Sequence, residues 1–172
     1  QLPDYPRPFF EHLPELPLIL PIVIAIVVGA IIGLVSGVIV AYLKIVPFIS
    51  TLGTMVITYG ICSLYFDMEP NNSQPIRPEF TQIGTGSLDL GFMTIPYIVI
   101  IAAVISLIMY VVYNKTILGK NMFAIGGNPQ AAVVSGINVA VTLVIIYVIA
   151  GALYGVGGIL EAARTGGATN NY

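Results

Sequence analysis

The sequence has 172 residues, of which 57% are hydrophobic and 8% charged, with a formal net charge of −2. Soluble domains carry about 25% charged residues, so this chain has too little charge to cover a water-facing surface. Lipid is the simplest surrounding for so much apolar surface, and the charge balance excludes the basic field that nucleic-acid binding needs. The single cysteine, Cys62, excludes an intrachain disulfide and leaves the redox compartment unread.

Residues 1–15 open at Gln1 and hold Pro3, Pro6, Pro8 and Pro14 with Asp4, Glu11 and Glu15, the reverse of a basic signal-peptide start. They are expected to form a connecting loop with a short interfacial piece, in a fragment that lacks helices at both ends. From Leu16 to Leu43, 28 residues pass without a charge. A hydrocarbon core about 30 Å thick is crossed by about 20 helical residues at ~1.5 Å each. Pro17 and Pro21 suit a helix start, where a missing N–H costs little. Between Pro21 and Leu43 stand fourteen Leu, Ile and Val residues. At roughly −0.3 to −0.6 kcal/mol each, they favour insertion by about 4 to 8 kcal/mol.

The first spanning helix is therefore predicted at 21–43. Lys44 interrupts, and Pro47 begins a second span at 47–66; so short a link predicts a tight hairpin. Residues 67–94 are polar and turn-rich, a loop. A third span is predicted at 95–113, a loop at 114–136, and a fourth span at 137–160, with Glu161 and Arg164 opening a polar tail. The fold class is an all-α polytopic helical bundle with four transmembrane helices, and residues 1–172 form one transmembrane unit. Alternation places the 44–46 link and the 114–136 loop on one side, with Lys44, Lys115 and Lys120 and no acid. Arg7, Arg77, Arg164 and all eight acids fall on the other. The basic counts tie, but the denser basic residues of the short links put them in the cytoplasm and the 67–94 loop outside.

The first helix repeats a small residue every fourth position: Ala25, Gly29, Gly33, Gly37, Ala41. The fourth helix carries Gly151, Gly155, Gly158 and Ala162. Small residues on one face let membrane helices approach closely, so Gly29, Gly33, Gly37, Gly151, Gly155 and Gly158 read as packing seams. The second helix differs. Thr51, Thr54, Thr58, Cys62 and Tyr65 share one face. Two readings stand: this stripe lines a wet path for a polyhydroxylated solute, or its hydroxyls bond their own helix or a neighbour.

No Asp, Glu, Lys, Arg or His lies within the predicted spans. Ion-coupled carriers usually hold such groups at mid-membrane, so an uncharged substrate and an external energy source are expected. His12 reads as a solvated loop residue. There is no metal-ligand cluster, no catalytic nucleophile–base pair and no Walker A pattern, so no metal, cofactor or catalytic residue is assigned and the chain is not read as an enzyme. Asn71 and Asn114 start Asn-x-Ser/Thr matches too common to use. In the 114–136 loop, Gly126 and Gly127 permit a sharp turn. Asn128 can cap a helix with Pro129 at its first position, and Gln130 to Ser135 would then be a short helix closed by Gly136. Such a helix outside the membrane is a natural knob for a soluble subunit.

The stretch from Ala41 to Thr54, Ala-Tyr-Leu-Lys-Ile-Val-Pro-Phe-Ile-Ser-Thr-Leu-Gly-Thr, resembles permeases of bacterial ABC importers for simple sugars. So does the loop from Gly119-Lys120 through Gly126-Gly127-Asn128-Pro129, with Ala131-Ala132 and Ser135-Gly136. The ending from Gly157-Gly158 to Asn170-Asn171 is similar. The resemblance covers almost the whole chain from about Ile22, and it is to the ribose/galactose (methyl-galactoside) permease group.

It implies an inner-membrane permease of about ten helices, working as a homodimer. A periplasmic sugar-binding protein would dock outside and a separate ATPase inside. The 114–136 loop would couple to that ATPase through Gly126, Gly127, Asn128, Pro129, Ala131, Ala132, Ser135 and Gly136. Thr51, Thr54, Thr58 and Tyr65 would line the substrate path. A Gly-rich, Asp-containing motif upstream and an acidic motif downstream, both features of the family, are absent from this sequence. The rival readings are a secondary carrier or facilitator for a small neutral solute, and a structural membrane subunit.

Overall fold

A computed structural model describes residues 18–68, 78–89 and 94–166, with side chains at 65–68 and 78 left aside. The Pro-rich opening, residues 69–77 and 90–93 of the turn-rich 67–94 stretch, and the polar tail from 167 onward lie outside the described residues. Among the described residues, four helices are long and apolar enough to cross a membrane: α1 (Ile19–Leu43), α2 (Pro47–Met68), α4 (Tyr97–Lys115) and α7 (Val139–Thr165). Between them stand α3 (Pro78–Thr85), strands β1 (Ser87–Asp89) and β2 (Thr94–Pro96), α5 (Ile117–Gly127) and α6 (Pro129–Val134). At ~1.5 Å per residue, α1 and α7 run about 37 and 40 Å, longer than the hydrocarbon core, so they tilt or protrude. Their large apolar side chains are mostly exposed, which costs nothing in lipid.

The bundle is centred on α1 and α7, which run antiparallel with glycines in contact. A Cβ built on Gly29 would strike the Gly151 carbonyl oxygen, and one on Gly33 the Tyr147 carbonyl oxygen. One on Gly155 would strike the Ala25 carbonyl oxygen, and one on Gly37 would crowd Val144 and the Tyr147 side chain. The backbones are thus as close as backbones pack, which only residues without a Cβ allow. Gly158 has no such neighbour among the described residues. It shares the face of Gly151, two turns on, but beyond Gly155 the described residues place no backbone against that face.

The tight hairpin expected between the first two spans is also corrected. The link is short because Lys44 takes a left-handed conformation (φ 54°) and Val46 accepts the first amide bonds of α2, from Ile49 and Ser50. Yet α2 meets α1 over only a short stretch near that turn, and most of its large apolar side chains stay exposed. No glycine seam draws it in: Cβ atoms at Gly53 and Gly60 would meet nothing.

The helix bounds differ from expectation where local chemistry overrides hydropathy. Pro96 closes β2 in extended conformation, so α4 begins at Tyr97. Helix α7 runs past Glu161 and Arg164 to Thr165 and is stopped by Gly166 at φ 72°. Charges outside the membrane do not end a helix; a left-handed glycine does. The region expected as plain loop before the third span contains structure. Strands β1 and β2 pair antiparallel, Leu88 opposite Ile95, and α3 lies across the end of α7. Gly84 permits that crossing, since its Cβ would strike the backbone at Ala163 and Arg164. Gly86 continues the strap, accepting from the Tyr97 amide at 2.9 Å.

Candidate functional site: a hydroxyl-bearing cavity between three spans

The splayed angle between α2 and the α1–α7 pair leaves a cavity of about 380 Å³. Gly29, Ile32, Gly33 and Ser36 wall it from α1, Thr51, Thr54, Met55 and Thr58 from α2, and Tyr147, Ala150, Gly151 and Tyr154 from α7. Ligand sites of a few hundred Å³, largely apolar with a few placed polar groups, fit this description. Among the described residues, no charged side chain lines it.

Three of the four residues expected to line a path, Thr51, Thr54 and Thr58, come together on this wall. Tyr65 lies outside the described side chains, and the exposed Cys62 does not line the cavity. The two readings of the hydroxyl stripe prove compatible. Each threonine bonds its own helix, and each still faces the cavity. Thr58 Oγ1 donates to the Thr54 carbonyl at 2.8 Å, Thr54 Oγ1 to that of Ser50 at 3.0 Å, and Thr51 Oγ1 to that of Pro47 at 3.0 Å. Ser36, 5% exposed, joins α1 to α2: its Oγ donates toward Thr54 Oγ1 at 3.1 Å and toward the Ile32 carbonyl at 3.0 Å. Ser50, equally buried, donates to the Ser36 carbonyl at 3.4 Å.

Sequence reading missed Ser36, Tyr147 and Tyr154. The two tyrosines lie seven residues apart on α7, flanking Gly151, a spacing that puts them on one face with the seam glycine. That pattern was available; what it faced was not. Tyr154 lines the cavity while remaining 79% exposed.

At the end of the bundle that carries the α1–α2 turn, residues 114–136 fold into two helices rather than a loop with one. Thr116 caps α5, accepting from the Gly119 amide at 3.3 Å while donating to the Val112 carbonyl at 2.6 Å. Gly119 lies on the Tyr113 backbone, where no side chain fits. Gly126 and Gly127 are the last residues of α5, not the turn itself. Asn128 makes the turn, in extended conformation, and its Oδ1 accepts from the amides of Gln130 and Ala131 at 3.0 and 3.1 Å. Pro129 holds the first position of α6, Ser135 follows it, and Gly136 takes φ 82°.

Gly126, Gly127, Asn128, Pro129, Ala131, Ser135 and Gly136 are exposed, but Ala132 is 3% exposed. Ala132 therefore faces into the chain: it seats α6, and a bulky residue there would disturb that seat rather than an outer surface.

The family described as branched-chain amino acid transport system / permease component matches residues 9–172. The chain is 50% identical over 136 residues to the galactose/methyl galactoside import permease protein MglC of Haemophilus influenzae, covering 77% of this chain and 40% of that protein. The corresponding permease of Escherichia coli is 48% identical over 136 residues, with the same coverage of 77% and 40%. The ribose import permease protein RbsC of Bacillus subtilis is 36% identical over 121 residues, 70% of this chain and 36% of that one. The chain thus spans about two fifths of the length of the first of these relatives. No solved structure matches it. With nearly its whole length matched and four membrane-spanning helices, the chain belongs to this family of permease components, as a multi-pass protein of the bacterial inner membrane.

Proposed function

We propose that this chain is the central part of the membrane-spanning permease subunit of an ATP-binding-cassette importer for a simple sugar, galactose or methyl-galactoside foremost. The observation that carries the reading is the uncharged, hydroxyl-bearing cavity between α1, α2 and α7. A neutral polyol needs hydrogen-bonding groups and no counter-charge. The names of the similar permeases, for galactose, methyl galactoside and ribose, supply the sugar class.

In this reading Thr51, Thr54, Thr58 and Tyr65 belong to the substrate path. Residues 114–136 are the cytoplasmic coupling segment and 67–94 the extracytoplasmic loop. The exposed residues around α6, from Gly126 to Pro129 with Ala131, Ser135 and Gly136, dock a separate ATPase subunit, and Ala132 holds that helix in place from inside. A periplasmic sugar-binding protein delivers the solute, and a second copy of the permease completes a homodimer. Hydrolysis belongs to the partner, so the permease is not itself an enzyme.

The test is uptake of labelled galactose into proteoliposomes holding the full-length permease with its ATPase and binding protein. Uptake that requires both ATP and the binding protein is expected. Uptake driven by an ion gradient alone would contradict the reading and favour a secondary carrier.

A further inference from the structure

The hydroxyl protons on the α2 wall of the cavity are all committed. Thr51 Oγ1 lies 3.0 and 3.1 Å from the carbonyls of Pro47 and Phe48, Thr54 Oγ1 3.0 Å from those of Ser50 and Thr51, and Thr58 Oγ1 2.8 Å from that of Thr54. A carbonyl can only accept, so in each contact the threonine is the donor. A hydroxyl has one proton, and once it is spent only lone pairs remain to face the cavity. Ser36 is committed in the same way, since its proton goes either to the Ile32 carbonyl or to Thr54 Oγ1. Among the described hydroxyls lining the cavity, only the phenols of Tyr147 and Tyr154 on the opposite wall have no carbonyl or hydroxyl taking their proton.

We infer that the α2 wall discriminates by hydrogen-bond polarity: it presents acceptors and selects a neutral solute whose own hydroxyls donate. Thr51 and Thr58 are the specificity-determining residues. Thr54 is the lesser contact, because Ser36 Oγ stands 3.1 Å from its oxygen and competes for it. Thr51 and Thr58 lie two turns apart on one face, about 10 Å along the helix, so the two acceptors sit at different depths of the cavity. A carboxylate or phosphate oxygen set against Thr51 or Thr58 would meet only lone pairs, so this wall favours a donating hydroxyl over an anionic oxygen at those two positions. This inference rests on the importer reading above and assigns its selectivity to named atoms.

The experiment uses the full-length permease with its ATPase and binding protein in proteoliposomes. ATP-driven uptake of galactose is compared with that of galactose analogues in which one hydroxyl at a time is replaced by fluorine, which cannot donate. Each sugar is followed in wild type, Thr58→Val, Thr51→Val and Thr58→Ser. Selection by the binding protein is common to all variants and cancels in the comparison.

For at least one hydroxyl position, the galactose-to-analogue uptake ratio should fall about fivefold from wild type to Thr58→Val or Thr51→Val, the worth of one neutral hydrogen bond. The Thr58→Ser variant should keep the wild-type ratio. Valine matches threonine in shape and branching, and the two sites are tested separately, so a folding defect at one leaves the other to decide. Ratios unchanged at every position in both valine variants, with galactose uptake still ATP-dependent, would overturn the inference. Loss of ATP dependence in the wild type would overturn the importer reading instead.

Discussion

Gly33 and Gly158 both stand in regular runs of small residues, yet only Gly33 lies against another backbone, at Tyr147. Replacing Gly33 with Leu must push α1 and α7 apart or bend them, and overpacking of this kind costs about 1–3 kcal/mol or more. The Gly158→Leu change meets nothing in the described residues and should stay within about 0.5 kcal/mol. Thermal stability of the detergent-solubilised permease checks the pair: the midpoint should drop by several degrees for Gly33→Leu and hold for Gly158→Leu. Equal losses would mean that the seam is misplaced. The sequence shows that both glycines sit in packing-competent runs. Which position in a run meets a partner depends on where along the helix the facing backbone passes, and that is set by a helix more than a hundred residues away. The same limit hid Ser36, whose neighbour Thr54 is on another helix.

Among the elements, α6 was legible because its signals are local. An Asn cap, a Pro at the first position and a left-handed Gly after the end are each read within a few residues. Asn128→Ala should cost about 1 kcal/mol of local stability and fray α6. Hydrogen exchange at the Gln130 and Ala131 amides would accelerate about fivefold, while Asn128→Asp should leave them near wild type. Unchanged exchange in the alanine variant would mean that Ala132 packing alone holds the helix. Helix α5 was not legible, because Gly119, Gly126 and Gly127 all lower intrinsic helix propensity. It forms through the Thr116 cap and through Gly119 seated on the Tyr113 backbone. Helix α3 and the β1–β2 hairpin went unread for a related reason. Each is short and turn-rich, and α3 is fixed by contact with the far end of α7 at Ala163 and Arg164.

For the molecule as a whole, α1 and α7 form one block and α2 is attached to it differently. Backbone-to-backbone contact leaves α1 and α7 little room to slide, whereas α2 is tied near its turn by the Ser36–Thr54 and Ser50–Ser36 hydrogen bonds and diverges beyond them. The four spans and their order were evident from hydropathy, and so was the hydroxyl face of α2. The cavity was not, because it exists only through the unequal packing of three helices. Its place on the solute path is the claim on which the functional account turns.

Thiol accessibility tests it directly, in the full-length permease with ATPase and binding protein, carrying Cys62→Ser to remove the native exposed thiol and Thr58→Cys to place one in the cavity. The account predicts rapid modification by a membrane-impermeant thiol reagent, slowed when galactose, binding protein and ATP are supplied together. A Thr58→Cys thiol as unreactive as one placed at the exposed Val56, on the opposite face of α2, with or without galactose, would contradict it.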